Sequence, residues 1–338
     1  MLGKNAPFII AEMSGNHNQS LERALKIIEV AAQSGVDAVK LQTYTADTIT
    51  IDKRDGEFFI SDPKSLWAGR SLYELYQEAY TPWEWQEKLF ARCRELGIIC
   101  FSTPFDPTAV DFLESLDCPI YKIASFESID LPLIKKIARL GKPIIASTGM
   151  ATVSEIEDLV CTARDNGCSD LTLLKCTSAY PATPADANLR TIPHMKELFN
   201  CEVGLSDHTM GIGVAIAAVT LGATVIEKHF TLSRADGGVD SAFSMEPQEM
   251  AQLVRECRAA YQSLGQVKYG LSAGESTAGR RSLYVVKDIK AGEPFTEQNV
   301  RSIRPARGLK PKYYEEILGR RAKVDIKFGT PLKWELVD

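Results

Sequence analysis

Two histidines, His208 and His229, end apolar runs that read EVGLSDHT and ATVIEKHF, and the chain holds only 4 histidines in all. Imidazole binds divalent cations and carries protons near neutral pH. A single histidine at a strand end usually holds a structural hydrogen bond. Two at the ends of consecutive strands are a different matter, because neighbouring strands lie about 4.8 Å apart and both rings can meet one cation. No third protein ligand is evident. Such a site leaves coordination positions for water and substrate oxygen, as a catalytic Lewis acid needs and a closed structural zinc does not.

Other polar residues end apolar runs in the same way: Glu12, Lys40 and Gln42, Ser102 and Thr103, Lys122 and Ser125, Ser147 and Thr148, Lys175, Ser206, and Glu227. Residues two apart on a strand share a face, which pairs Lys40 with Gln42, Ser206 with His208, and Glu227 with His229. Lys122, Ser125, Ser147 and Ser206 combine a cation with small hydroxyls, the groups that hold a phosphate or carboxylate through charge-assisted hydrogen bonds. A lysine inside IYKIAS is not a surface pattern. Glu12, Glu127 and Asp240 could move protons or hold sugar hydroxyls, or equally could be salt-bridged structural groups. His17, in SGNHN, lies where turn formation competes with function, and His194 reads as structural.

These side chains converge only if the runs that carry them are parallel strands around one axis. Short β-rich runs (PFIIAE, VDAVKLQ, GIICFST, IYKIAS, KPIIAST, LTLLKC, CEVGLS and ATVIEKHF) alternate with helical segments up to about residue 265. That pattern predicts a closed (β/α)₈ barrel, whose active site lies at the C-terminal ends of the strands. Ser20 starts one helix and Gly35 follows its last turn; TVSEIEDLVCTARDNG repeats the design, with an apolar face at 156, 159, 160 and 163 and a closing Gly167. An open doubly wound sheet would want a GxGxxG turn, which AEMSGNHN lacks. Residues 44–80 form an aromatic-rich insertion after the second strand, placed to cover the rim and possible as a lid.

The division expected is a barrel over 1–265, a small-residue linker over 266–279 (GLSAGESTAGRR runs through it), and a β-rich domain over 280–338. Within the last, DIKAGEPF from Asp288 is echoed by DIKFGTPL from Asp325, which predicts a pseudo-symmetric fold. A net charge of −5 with no basic stripe argues against nucleic acid. The 8 scattered cysteines read as reduced, buried thiols of a cytoplasmic protein. MLGKNAPFIIAE is too short an apolar run for a signal peptide, and no stretch approaches a membrane span.

Taken in order, IAEMSGNHN, VKLQTY, FSTPFD, YKIAS, STGMA, GLSDHT, VIEKHF and SIRP resemble the sialic acid synthases over essentially the whole chain. The resemblance implies a (β/α)₈ TIM barrel followed by a small antifreeze-like (SAF) domain, a divalent metal (Mn²⁺, Mg²⁺ or Co²⁺), and a domain-swapped homodimer in which each tail covers its partner's site. It implies a transferase that condenses phosphoenolpyruvate with an amino-sugar aldehyde. His208 and His229 match the metal ligands, while Lys122, Ser125, Ser147, Ser178 and Ser206 match the phosphoenolpyruvate site, with Lys40 nearby. Glu12, Gln42, Glu127, Tyr180 and Asp240 match residues around the sugar and the reacting carbons. Thr103 and Phe105 of FSTPFD join the substrate-binding set, and Arg304 matches an arginine that reaches the partner's sugar.

KLQTYTADTIT, LYELYQEAYTPWEW and RRSLYVVKDIKAGE are most similar to the branch of the family that uses 2,4-diacetamido-2,4,6-trideoxy-L-altrose. Ser178 stands where N-acetylneuraminate synthases often carry asparagine, and Arg280-Arg281 where they carry phenylalanine nearby; both departures favour a sugar other than N-acetylmannosamine. The alternatives are the same reaction yielding N-acetylneuraminic or legionaminic acid, a metal-dependent aldolase, and a non-enzymatic ice- or sugar-binding protein.

Overall fold

Strands buried on both faces are near-continuous apolar runs, and all eight such runs become strands in the computed structural model: β1 (Phe8–Glu12), β2 (Ala38–Thr43), β3 (Ile99–Pro104), β4 (Tyr121–Ile123), β5 (Ile144–Ser147), β6 (Leu171–Cys176), β7 (Glu202–Ser206) and β8 (Val225–His229). All pair in parallel and close in sequence order, β8 returning to β1. The structure describes Gly3 and residues 6–338, so MLGKN, apart from Gly3, lies outside the described residues. The chain divides into two compact units, Met1–Gly265 and Gln266–Asp338. Among the described residues no helix is long and apolar enough to cross a membrane.

Helices pack on the outside of the barrel and obey the local signals. Ser20 accepts a hydrogen bond from the Arg23 N–H at the start of helix Leu21–Gln33. Thr152 and Glu155 form a reciprocal capping box on helix Val153–Asp165, which buries Ile156, Leu159, Val160 and Ala163. Gly35 and Gly167 leave their helices with φ of +84° and +106°, a region costly for any residue with a Cβ. Cys161 corrects the expectation of buried thiols: it lies off the apolar stripe of its helix and is exposed, and Cys201 is only half-buried. All eight cysteines are free.

The strand register builds the rim. Glu12 stands opposite Lys40 on one side and His229 on the other, Gln42 opposite Thr103, and Ser206 opposite both Glu227 and Cys176. The insertion contributes helices Ala46–Ile49 and Leu72–Ala79, the latter capped by Ser71 and Glu74. Between them the chain doubles back, the Ile60 N–H donating to the Arg70 carbonyl and the Gly69 N–H to the Ile60 carbonyl.

In the second unit, β9 (Ser282–Val285) and β10 (Val300–Ile303) form an antiparallel pair over a core of Leu283, Val285, Ile289, Phe295, Ile326 and Leu332. The two echoed segments bind each other reciprocally. Asp288 accepts from the Phe328 N–H at 2.7 Å and pairs with Lys327; Asp325 accepts from the Ala291 N–H at 2.9 Å and pairs with Lys290. Ile289 and Ile326 exchange backbone hydrogen bonds between them, so the sequence repeat is a structural two-fold.

Candidate active site

A cavity of about 460 Å³ opens at the C-terminal end of the barrel. Its floor is charged. Glu227, buried on β8, accepts from Lys40 and Lys122, each 3.5 Å from the same oxygen, and from Ser206 at 3.4 Å. Lys40 also pairs with Glu12 at 2.8 Å and reaches the Thr103 hydroxyl at 3.3 Å, while Gln42 donates to Glu12 at 2.8 Å. Lys122 donates to Ser147 at 2.7 Å. Buried charges persist only when so paired.

The environment divides the carboxyls. Burial alone would raise Glu227, but Lys122 and Lys40 outweigh it and hold its carboxyl below the usual range. Burial raises Glu12, with the Lys40 ammonium pulling the other way. Burial likewise lifts Glu127 to about 7 and raises Asp240, which accepts from the Ser14 hydroxyl. Lys122 is lowered by burial and, among its neighbours, by Lys40. Groups pushed in opposite directions within one cavity are what acid–base work requires.

The two imidazoles lie beside this floor with ring centroids 5.3 Å apart. His208 donates from Nδ1 to the Thr177 carbonyl at 2.9 Å, so Nε2 carries the lone pair whenever the ring is neutral; burial opposes its charge, but Cys176 and the Thr177 carbonyl outweigh burial and raise it above the ordinary histidine range. His229 Nδ1 is buried with no hydrogen-bond partner, and 3.7 Å from Asp240. Burial, then the charge of His208, holds His229 well below the ordinary histidine range. An unsatisfied neutral imidazole facing a second with a free nitrogen fits a divalent cation. Among the described residues no group of three or more His, Cys, Asp or Glu side chains is placed to hold a metal.

The cavity takes in Glu12, Lys40, Gln42, Phe105, Lys122, Ser125, Glu127, Ser147, Tyr180, Ser206, His208, His229 and Asp240. Thr103 lies behind Lys40. Ser178, which does not line the cavity, faces Ser125 across Gly149: a Cβ there would come within 2.5 Å of the Ser125 hydroxyl and 2.7 Å of that of Ser178. Arg304 belongs to the second unit, exposed and without a protein partner among the described residues.

Strand alternation removes three of the rim residues. Ser102 turns outward to Thr43 at 2.6 Å, Thr148 donates to the Leu174 carbonyl, and Lys175 donates to the Cys176 carbonyl and the Thr177 hydroxyl. His17 is buried in the first loop, accepting from the Gln19 N–H and edge-on to Trp85, and His194 is exposed on its helix.

Glu227, which the sequence placed at a strand end beside His229 without a role, proves to be the hub of both lysines. The sequence reading missed several other features here. Cys176, read as one of the reduced, buried thiols, lines the cavity 4.0 Å from His208; burial raises it, but His208, Ser125 and Lys122 bring it down to about 7. Phe243 packs edge-on to His229 with centroids 4.9 Å apart, and Trp67 lies 5.8 Å from Tyr180 while donating to the Val239 carbonyl at 2.9 Å. No periodic signal marks these two.

A parallel eight-stranded barrel with a buried, charged floor, two facing imidazoles and a small appended β unit defines a class, and the chain belongs to it: it is a member of the NeuB family, whose model matches residues 27–269, with a SAF domain at residues 280–338. It is 47% identical over 328 residues to a pseudaminic acid synthase of Campylobacter jejuni, covering 96% of this chain and 95% of that one. To an N,N'-diacetyllegionaminic acid synthase of the same organism the identity is 40%, over 94% of this chain and 96% of that one. The crystal structure of an N-acetylneuraminic acid (sialic acid) synthetase from Leptospira borgpetersenii superposes with a TM-score of 0.70 at 34% identity, over 80% of this chain and 88% of that one.

Proposed function

We propose that the protein condenses phosphoenolpyruvate with open-chain 2,4-diacetamido-2,4,6-trideoxy-L-altrose and water, giving pseudaminic acid and inorganic phosphate. The observation that carries this is the floor: two buried lysines around Glu227, ringed by Ser125, Ser147 and Ser206, beside two imidazoles. With Glu12 protonated the lysines outnumber the floor's carboxylates, which suits a phosphorylated carboxylate. The identity to a pseudaminic acid synthase exceeds that to a legionaminic acid synthase, which supports the choice of sugar.

Lys122, Ser125, Ser147, Ser178 and Ser206 hold the phosphate and carboxylate, and contribute by positioning. Gln42, Phe105, Tyr180 and Asp240 hold the sugar, with Lys40 and Thr103 behind them. His208 and His229 hold a divalent cation of the Mn²⁺, Mg²⁺ or Co²⁺ type, which supplies Lewis-acid polarisation of an aldehyde oxygen when bound. C3 of phosphoenolpyruvate adds to the aldehyde carbon and leaves cationic character at C2. Glu12 delivers a proton to the new alkoxide oxygen. Glu127 takes one proton of the water that adds at C2; the C2 hydroxyl then passes its proton to the leaving phosphate as the C2–O(phosphate) bond breaks, forming the keto group and releasing inorganic phosphate. Arg304 reaches the sugar of a partner's site in a domain-swapped homodimer. The free thiols suit the cytoplasm.

The test is phosphate release from phosphoenolpyruvate with the three candidate sugars, the precursors of pseudaminic, legionaminic and N-acetylneuraminic acids. The highest kcat/KM is expected with the trideoxy-altrose. A higher value with N-acetylmannosamine would overturn the choice of sugar, and condensation of free pyruvate without phosphoenolpyruvate would make the enzyme an aldolase.

A further inference from the structure

Lys228 lies between Glu227 and His229 on β8, so strand alternation turns it away from the cavity, toward the helices, yet it is 1% exposed. An ammonium so buried persists only if its donors are matched. All three are. Lys228 Nζ donates to Asp207 Oδ2 at 2.8 Å, to the Thr209 carbonyl at 2.7 Å and to the Gly211 carbonyl at 3.0 Å. These acceptors come from one five-residue loop, with His208 inside it.

The loop is tied from other directions as well. Asp207 Oδ1 accepts from the Thr209 N–H at 2.9 Å and its hydroxyl at 2.8 Å, and the Asp207 N–H donates to the Glu227 carbonyl at 2.9 Å. The His208 carbonyl accepts from the Ala182 N–H at 3.1 Å. Lys228 is thus a covalent neighbour of one imidazole-bearing residue and a clamp on the loop that bears the other.

We propose that Lys228 is a positioning residue: its ammonium fixes the spacing of His208 and His229, and through it their affinity for a divalent cation. The inference rests on the two-histidine reading above. It uses a group the chemistry itself does not touch, and which the cavity does not contain.

The test is Mn²⁺ titration of the full chain without substrates, followed by the electron paramagnetic resonance signal of free Mn²⁺, alongside thermal melting. Lys228→Met should weaken Mn²⁺ binding at least tenfold and broaden the bound signal. Because that variant leaves Asp207 buried without its cation, the paired variant Lys228→Met with Asp207→Asn keeps the question answerable. It should recover much of the melting temperature and none of the Mn²⁺ affinity, a split that a purely structural plug would not produce. A folded paired variant that binds Mn²⁺ within twofold of the parent would overturn the proposal. His208→Ala is the control: if it too binds like the parent, the two-histidine site itself fails, and Lys228 with it.

Discussion

The floor and the roof of the cavity are built on opposite plans. The floor is polar, comes from the ends of the strands, and is buried and held by ion pairs and hydrogen bonds: Lys40 and Lys122 are 3% and 2% exposed. The roof is apolar and comes mainly from the insertion, through Ile60, Trp67, Leu72 and Tyr76, each half-buried, with Phe105 and Val239 beside them. A floor with fixed donors and acceptors is preorganised for charge. A roof of incompletely covered apolar surface gains its remaining contacts from whatever enters. On the function proposed above, the difference would place chemistry in the floor and choice of sugar in the roof.

The sharpest way to break that division is His208→Ala. Loss of one of two imidazoles should lower kcat/KM by about a thousandfold or more, with the circular dichroism spectrum and melting temperature nearly unchanged. Substantial metal-dependent turnover in this variant would show that the chemistry does not depend on the pair.

The floor was legible in the sequence because a parallel strand repeats every two residues, and the register of a closed barrel brings strand ends to one rim. Glu12, Gln42, Lys122 and His229 followed from that alone. Ser102, Thr148 and Lys175 failed because an apolar run does not say which parity faces inward; their neighbours Thr103, Ser147 and Cys176 took that side. Ser178 beside Ser125 needed Gly149, whose missing side chain is visible only in space. The roof had no such rule. Trp67 reaches Val239 across 172 residues of sequence, and an aromatic-rich stretch announces a cover without saying which ring points down.

Glu127 gives the next largest effect, and its pH dependence bears on the floor as a place for proton transfer. Burial lifts its carboxyl from 4.5 to about 7. As the base, it must be ionised, so its limb of kcat/KM should rise about tenfold per pH unit below 7, while Glu12, the proton donor and also lifted by burial to about 7, brings the rate down again on the alkaline side. Glu127→Gln should lose about a hundredfold at pH 8 and flatten that limb. Stability runs the other way. The folded state holds the proton more tightly than the unfolded chain, so the stabilisation is complete below 4.5 and is lost as pH rises through 7, with a slope of at most about 1.4 kcal/mol per pH unit. Relative to the parent, Glu127→Gln should therefore gain melting temperature between pH 4 and 7 and gain no more beyond it. A parent whose rate is flat from pH 5 to 8 would remove Glu127 from the proton path.

Trp67 tests the roof, where effects should be smaller and confined to the sugar. Trp67→Ala removes a ring packed on Tyr180 and should raise the sugar KM about 30-fold, leaving the phosphoenolpyruvate KM within about twofold. Trp67→Phe keeps most of the apolar area and loses only the donor to the Val239 carbonyl, a neutral hydrogen bond with a net contribution of about 1 kcal/mol. It should therefore raise the sugar KM by only a few-fold. The two variants distinguish apolar contact from tethering. If the roof recognises the sugar by contact, the phenylalanine variant stays close to the parent and discrimination against N-acetylmannosamine survives in it but not in the alanine variant. If both variants fall equally, the tether to the loop bearing Asp240 is what matters, and specificity rests on how the roof is held and not on apolar contact with the sugar.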